Sequence, residues 1–229
     1  MLLLFDIDGT LLASATRAHR DAMHEALMNV HGVDAADGPP TVQRAGRTDG
    51  QIARAILIGA GVSARRIDEL ADAVQDECCR AYARLCPPDL SETVIAGIPE
   101  LLDDLSVRED VVLGLLTGNY EPVGRLKLAR AGIGHWFAGG PGAFGSDSED
   151  RAALPAIARR RAGASGRPYP RQQTVVIGDT PRDIACARAD EVLSVAVTSG
   201  PYGADDLRGA DAVAENAGEL RDALASLGA

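Results

Sequence analysis

Short apolar runs recur along the chain, and each is typical of a parallel β-strand buried on both faces. They cover residues 2–5, 111–116, 174–177 and 192–197, with a shorter run at 210–214. From residue 99 onwards, apolar side chains spaced three or four residues apart predict amphipathic helices between these runs. Alternating strands and helices predict an α/β fold, a doubly wound parallel sheet with helices on both faces.

Residues 14–90 interrupt this alternation, because helical patterns follow one another there without a strand. The expected N-caps are Ser14, Thr48 and Ser63, the first two helices end at Gly32 and at 59–61, and a loop is expected at 38–40. The third helix carries an apolar stripe that reaches Tyr82. The pattern therefore predicts a helical insertion at 14–90 in an α/β core formed by 1–13 and 91–229.

Composition narrows the class of protein. The chain has 229 residues, 46% apolar and 24% charged, which is ordinary for a soluble globular protein. A net charge of −10 argues against binding the phosphate backbone of nucleic acids. No apolar run is long enough to cross a membrane, and the N-terminal run lacks a basic leader. The four cysteines lack zinc-site spacing and are expected to be free thiols in the cytoplasm.

Two carboxylates end the first strand. Asp6 and Asp8 follow the apolar run directly, and Gly9-Thr10 then interrupts it. Carboxylates at the end of a buried strand are unfavourable unless something compensates their charge. The carboxyl ends of parallel strands open into the crevice where ligands bind, and Mg²⁺ takes carboxylate oxygens. The pattern predicts a magnesium site at this edge of the sheet.

Later strands end in residues suited to the same crevice. Thr117 and Gly118, followed by Asn119, offer a hydroxyl and backbone N–H groups to phosphate oxygens. After the third strand, Asp183 lies about one helical turn beyond Asp179, so both carboxylates can face one corner. Acids gathered there would repel one another unless a divalent cation lies among them.

These residues carry a family resemblance. The run Asp6-Ile7-Asp8-Gly9-Thr10-Leu11 resembles the first motif of the haloacid dehalogenase-like hydrolases in its phosphatase form. Thr117 matches the second motif, and the run Gly178-Asp179-Thr180-Pro181-Arg182-Asp183 matches the fourth. The motifs follow the family's order and span residues 6–183, so the resemblance covers nearly the whole chain.

The resemblance implies roles for the motif residues. Asp6 would attack phosphorus and form an aspartyl-phosphate, while Asp8 would protonate the leaving oxygen and later activate water. Mg²⁺ would be bound by the Asp6 side chain, the Asp8 backbone carbonyl and Asp179, with Asp183 acting indirectly. Residues 14–90 would correspond to the helical cap of the phosphoglycolate phosphatase-like branch, which closes over the site.

One motif departs from the family pattern, which has a lysine before a helix to hold the phosphoryl group. Arg151 stands at the corresponding place, before a helix expected at 152–161, and its guanidinium can bind an oxyanion bidentately. Lys127, the only lysine of the chain, is the alternative. We favour Arg151 and keep both residues as candidates.

Two further sets of residues concern the predicted insertion. Arg47 lies beside the Thr48 helix N-cap, an arrangement that suits an anionic group, and is therefore a candidate substrate ligand. His19, His24 and His31 have no metal-ligand partners at suitable spacing and are expected to be surface or hydrogen-bonded residues.

The predicted function is Mg²⁺-dependent hydrolysis of a small phosphorylated metabolite, such as a phosphoglycolate-like phosphomonoester. The alternatives are a sugar phosphomutase, which shares every core motif, and a non-catalytic binding protein on the same fold. No nucleic acid or membrane partner is expected, and the sequence makes no prediction of the oligomeric state.

Overall fold

A computed structural model describes residues 1–34 and 43–228, and the loop expected at 38–40 lies outside them. Its described strands are β1 (Leu2–Phe5), β2 (Val112–Leu116), β3 (Gly142–Ala143), β4 (Thr174–Gly178), β5 (Leu193–Val197) and β6 (Ala212–Ala214). They form one all-parallel sheet in the order β3-β2-β1-β4-β5-β6. The chain runs outward from β1 to one edge, then from β4 to the other, which confirms the doubly wound α/β fold.

Helices cover both faces of the sheet. The helices are α1 (Arg17–His31), α2 (Asp49–Gly59), α3 (Ala64–Glu69), α4 (Ala71–Leu85), α5 (Ile98–Ser106), α6 (Glu121–Arg130), α7 (Leu154–Ala162), α8 (Pro181–Ala189) and α9 (Ala217–Ser226). Leu2 and Leu4 pack with residues of α7 and α8, whereas Leu3 and Phe5 pack with residues of α5 and α9. This two-residue alternation explains why β1 is apolar at every position.

Helices α1–α4 form the insertion between β1 and α5. α1 packs along α4, and α4 also contacts α6. Buried side chains of the insertion, such as Met23, Leu27 and Tyr82, belong to the same apolar cluster as Leu3 and Phe5. The insertion is therefore packed onto the side of the sheet that bears α5, α6 and α9. In the described ranges, no helix is both long and apolar enough to cross a membrane.

Three local predictions were wrong. Ser14 adopts a positive φ of 58° and does not cap α1, which begins at Arg17 without a side-chain cap. The long helix expected after Ser63 divides at Leu70 into α3 and α4, and both helices bury apolar side chains, such as Ile67 and Val74, in one cluster. The edge strand β3 was missed because two small residues, Gly142 and Ala143, carry no strand pattern.

Candidate active site

The motif residues meet at the carboxyl edge of the sheet, where the strand order changes direction between β1 and β4. Asp6 and Asp8 follow β1, and Asp179 follows β4. Residues from the strand ends and from the insertion line a cavity of about 420 Å³ there. Gly9 has a φ of 85°, and a Cβ at this position would overlap the Asp179 carboxylate, so glycine is needed for the two segments to approach.

Three buried acids form one cluster beside this cavity, and two of them, Asp6 and Asp179, line it. Oxygens of Asp6, Asp179 and Asp183 all lie within 4.8 Å of one another. Burial raises the pKa of Asp6 to about 6, although the Arg151 charge opposes it. Burial, assisted by the charges of Asp6 and Asp183, raises the pKa of Asp179 to about 8. The nearby positive charge does not fully compensate the negative charge of the three carboxylates.

The donor set of this cluster fits a divalent cation. Asp179 Oδ1 is buried and has no hydrogen-bond partner among the described residues. All three side chains offer carboxylate oxygens, the ligands that Mg²⁺ prefers. A bound cation would supply the missing positive charge and a partner for the Asp179 oxygen. The three acids could therefore hold a divalent cation, and their role as metal ligands stays a prediction.

Asp183 is held in place by the start of α8. Its Oδ2 accepts hydrogen bonds from Thr180 Oγ1 at 2.7 Å and from Thr180 N at 2.9 Å, and the Thr180 hydroxyl in turn accepts from Asp183 N. This capping box fixes the carboxylate at the helix N-terminus. Gly178 leaves room for it, because a Cβ there would overlap the Asp183 carboxyl group.

Arg151 links two members of the acid cluster. Its Nη2 donates to Asp6 Oδ2 at 3.1 Å and also to Asp183 Oδ1. The residue begins a helical turn that Asp150 caps, and only 5% of it is exposed. Burial disfavours its charge, but Asp183 and Asp6 raise the pKa of Arg151 above its usual value. A permanent positive charge thus lies beside Asp6.

Lys127 lies on the other side of the site, beside Asp8. Its ammonium group, which is fully buried, donates to Asp8 Oδ1 at 2.8 Å and Oδ2 at 2.6 Å, and to Asn119 Oδ1 at 2.7 Å. Asn119 Nδ2 donates to Asp8 Oδ2 at 2.9 Å. Burial alone would raise the pKa of Asp8, but the Lys127 charge and these hydrogen bonds lower it below the usual value. Both candidate cations therefore contact predicted site acids: Arg151 contacts Asp6 and Asp183, and Lys127 contacts Asp8.

The segment after β2 lies between the strand ends and the insertion. Thr117 is fully buried, and its hydroxyl accepts a hydrogen bond from Asn119 Nδ2 at 2.9 Å. The Gly118 carbonyl accepts from Asp49 N at 2.8 Å, and a Cβ on Gly118 would overlap the Arg47 carbonyl. Gly118 and Asn119 line the cavity, whereas Thr117 is not among its lining residues.

Two residues of the insertion complete a hydrogen-bonded network that sequence analysis missed. His19 Nδ1 lies 3.2 Å from Lys127 Nζ, and His19 Nε2 lies 3.1 Å from Asp49 Oδ2, which also accepts from Tyr120 N at 2.7 Å. Because an ammonium group only donates, Nδ1 accepts and Nε2 carries the proton given to Asp49. His19 is hydrogen-bonded, as expected, but no spacing in the sequence indicates that it reaches the site.

The insertion is tied to the core beside Arg151. Thr48 Oγ1 donates to the Glu149 carbonyl at 2.7 Å, and Arg54 Nε donates to Glu149 Oε1 at 2.6 Å. Arg182 Nη1 of α8 donates to the Ala45 carbonyl at 2.8 Å. Arg47, which lies between these contacts, lines the cavity, and its buried Nε has no partner among the described residues.

Comparison with solved structures shows the same fold in bacterial proteins. A hydrolase from Pseudomonas syringae is 24% identical, with 99% of each chain covered and a TM-score of 0.70. A predicted phosphatase from Clostridium acetobutylicum is 20% identical, with 98% of each chain covered and a TM-score of 0.65. A β-phosphoglucomutase from Clostridium difficile is 15% identical, covering 99% of this chain and 96% of that one, with a TM-score of 0.68.

Sequence comparison supplies the family. No curated protein matches the chain. A family model described as haloacid dehalogenase-like hydrolase matches residues 3–188, which include all the site acids described above. The chain therefore belongs to the haloacid dehalogenase-like hydrolase family.

Proposed function

We propose that the protein is a Mg²⁺-dependent phosphatase that hydrolyses a small phosphomonoester, of the phosphoglycolate type, through an aspartyl-phosphate on Asp6. One observation carries the proposal: two carboxylates at the same strand end have opposite surroundings. Asp6 lies in the acid cluster beside Arg151, whereas Asp8 lies 2.6 Å from Lys127 and outside that cluster. Different environments suit the two residues to different chemical roles.

Asp6 is the proposed nucleophile. One of its oxygens attacks phosphorus, and the bond between phosphorus and the leaving oxygen breaks as the new one forms. Arg151, which donates to Asp6 Oδ2, is positioned to bind a phosphoryl oxygen and to reduce repulsion between the two anions. The hydroxyl of Thr117 and the backbone N–H groups of Gly118 and Asn119 are the proposed further donors near the phosphoryl group.

Asp8 is the proposed acid and base. It gives a proton to the leaving oxygen and later takes one from the water that attacks the aspartyl-phosphate. Lys127 and Asn119 stabilise its carboxylate form, which suits the second role. They lower the population of the protonated form, which is the form that gives its proton to the leaving oxygen in the first role. His19 and Asp49 orient the Lys127 ammonium group, so these insertion residues act on Asp8 through Lys127.

Mg²⁺ is the proposed cofactor. Asp6 and Asp179 would hold it through their carboxylates and Asp8 through its backbone carbonyl, while Asp183, already bonded to Thr180 and Arg151, would act indirectly. When bound, the ion would neutralise charge on the phosphoryl group.

Residues 14–90 are the proposed cap. Contacts from Thr48 and Arg54 to Glu149 hold the insertion over the cavity, and excluding water there would protect the reaction. The cavity volume, about 420 Å³, suits a small-molecule substrate. Arg47 is the proposed substrate ligand on the cap side.

The test is phosphate release from an aryl phosphate and a panel of small phosphate esters, with Mg²⁺ and with EDTA. Asp6→Asn should lower Mg²⁺-dependent turnover by about 10⁴-fold or more, because the amide is a poor nucleophile. Asp110→Asn, at an exposed surface position, is the matched control and should keep full activity. Turnover by a folded Asp6→Asn variant at the wild-type rate would refute the proposed route, and transfer to a sugar acceptor rather than to water would identify a mutase.

A further inference from the structure

Two arginines of the insertion side line the cavity and have no role in the chemistry proposed above. Arg20 lies on α1, and Arg44 lies in the segment before α2. Both line the cavity whose base carries Asp6, Asp8 and Asp179. We call Arg20 and Arg44 the arginine pair.

The arginine pair lacks strong partners of its own. Within residues 1–34 and 43–228, no group accepts a hydrogen bond from the Arg44 guanidinium, and the ion pair of Arg20 is a 4.0 Å contact with its neighbour Asp21. Arginines elsewhere in the chain, such as Arg159 and Arg161, donate to carboxylates at 2.6 Å. The pair therefore leaves its donors available at a cavity wall.

Holding these two charges together is unfavourable in the absence of an anion. Burial and the charge of Arg20 both lower the pKa of Arg44. His24, further along α1, has a pKa lowered by burial and by the charges of Arg44 and Arg20. The charges of Asp21 and Asp34 act on His24 in the opposite direction, but they do not outweigh burial and the two arginines.

The pair is separate from the acids at the base of the cavity. No ion pair within 4.0 Å joins Arg20 or Arg44 to a site carboxylate in the described parts of the chain, whereas Arg151 contacts Asp6 and Asp183. Arg151 thus lies beside Asp6, the proposed acceptor of the transferred phosphoryl group. A ligand that reaches from the base of the cavity to its insertion side would meet the arginine pair with its other end.

We propose that the arginine pair binds a second anionic group of the substrate, a carboxylate or a phosphate, distinct from the phosphoryl group that is transferred. This inference rests on the proposed phosphatase function and defines its substrate class as small phosphomonoesters with a second anion. Guanidinium groups suit this purpose because their paired N–H donors match carboxylate and phosphate oxygens.

The experiment compares kcat/KM for two matched pairs of esters in the full-length protein with Mg²⁺. One pair is phosphoglycolate and its methyl ester, and the other is the bisphosphate and the monophosphate of 1,3-propanediol. We expect a preference of about 10- to 100-fold for the doubly anionic member of one pair, since hydrogen bonds to charged groups are strong. The pair that shows the preference identifies the second anion as carboxylate or phosphate.

Variants connect that preference to the residues. Arg44→Gln and Arg20→Gln should each lower the ratio of kcat/KM for the charged ester to that for its neutral partner, Arg44→Gln by about tenfold or more. Arg17→Gln is the matched control, because it removes the same charge from exposed α1 surface outside the cavity and should leave the ratio unchanged. Circular dichroism confirms that each variant is folded.

Each result decides between the two proposals. Turnover without preference in either pair overturns the inference and leaves the phosphatase function standing. A preference that survives in both Arg44→Gln and Arg20→Gln also overturns it, because the second anion is then bound elsewhere. Absence of turnover with every ester overturns the phosphatase function, and the inference fails with it.

Discussion

Replacing Lys127 with methionine tests the network around Asp8. The ammonium group is fully buried and donates to Asp8, Asn119 and His19. Its removal leaves Asn119 Oδ1 and His19 Nδ1 without a donor, and it leaves the Asp8 carboxylate with the Asn119 amide but without a compensating charge. Removing one partner of a buried ion pair costs about 3–5 kcal/mol. Because 24% of the Asp8 side chain is exposed and water can partly compensate, we expect the lower end, about 3 kcal/mol.

The assay is urea unfolding followed by circular dichroism at pH 7, with EDTA present. Arg125→Met on the same helix is the matched control: its ion pair with Glu121 is exposed, so its loss should cost less than about 1 kcal/mol. If Lys127→Met lowers the free energy of unfolding no more than Arg125→Met does, the inferred Lys127–Asp8 interaction is refuted.

The pH dependence of the same variant has a defined sign. In the wild type, Lys127 and its neighbours hold the pKa of Asp8 below its usual value, so the pair contributes stability above the unfolded pKa of about 3.9 and loses it as the pH falls through the folded value. In Lys127→Met, burial dominates and raises the pKa of Asp8. The difference in unfolding free energy between the two proteins should therefore shrink from pH 7 towards pH 4, and a constant difference would contradict this reasoning.

Four further outcomes are expected. Mg²⁺ at about a hundred times its Kd should raise the melting temperature by about 5–10 °C, and Asp179→Asn should abolish the shift. Calorimetry should show tighter Mg²⁺ binding at pH 8 than at pH 6, because the metal competes with protons on carboxyls whose pKa is raised to about 6 in Asp6 and about 8 in Asp179. Gly9→Ala should remove Mg²⁺ binding, since its Cβ would overlap Asp179, whereas Gly61→Ala, at a similar φ of 81° but in open space, should bind normally and lose only about 1 kcal/mol of stability. Arg151→Met should lower kcat by about 10²- to 10³-fold, with partial recovery in Arg151→Lys, which keeps the positive charge beside Asp6 but lacks the planar fork of donors that suits phosphoryl oxygens.

Local sequence predicts the features of this protein that depend on residues close together in the chain. An apolar run that ends in acids predicts both the buried strand β1 and the carboxylates at its end, because alternate side chains must face two packed layers. The N-cap at Thr48 was predicted correctly, since its hydroxyl bonds to a backbone group three residues away. The N-cap at Ser63 was also predicted correctly, although the helix it begins ends at Glu69. Ser14 shows the limit of such signals, because α1 begins at Arg17 without a side-chain cap.

The sequence by itself determined the fold class, the order of the acids along the strands and the set of two candidate cations. The tertiary structure decided which cation meets which acid: Arg151 lies beside Asp6, and Lys127 lies beside Asp8. It also brought His19 from the insertion to Lys127. The physical reason is that charge compensation acts through space, so residues more than a hundred positions apart become partners only when the sheet and the insertion bring them together.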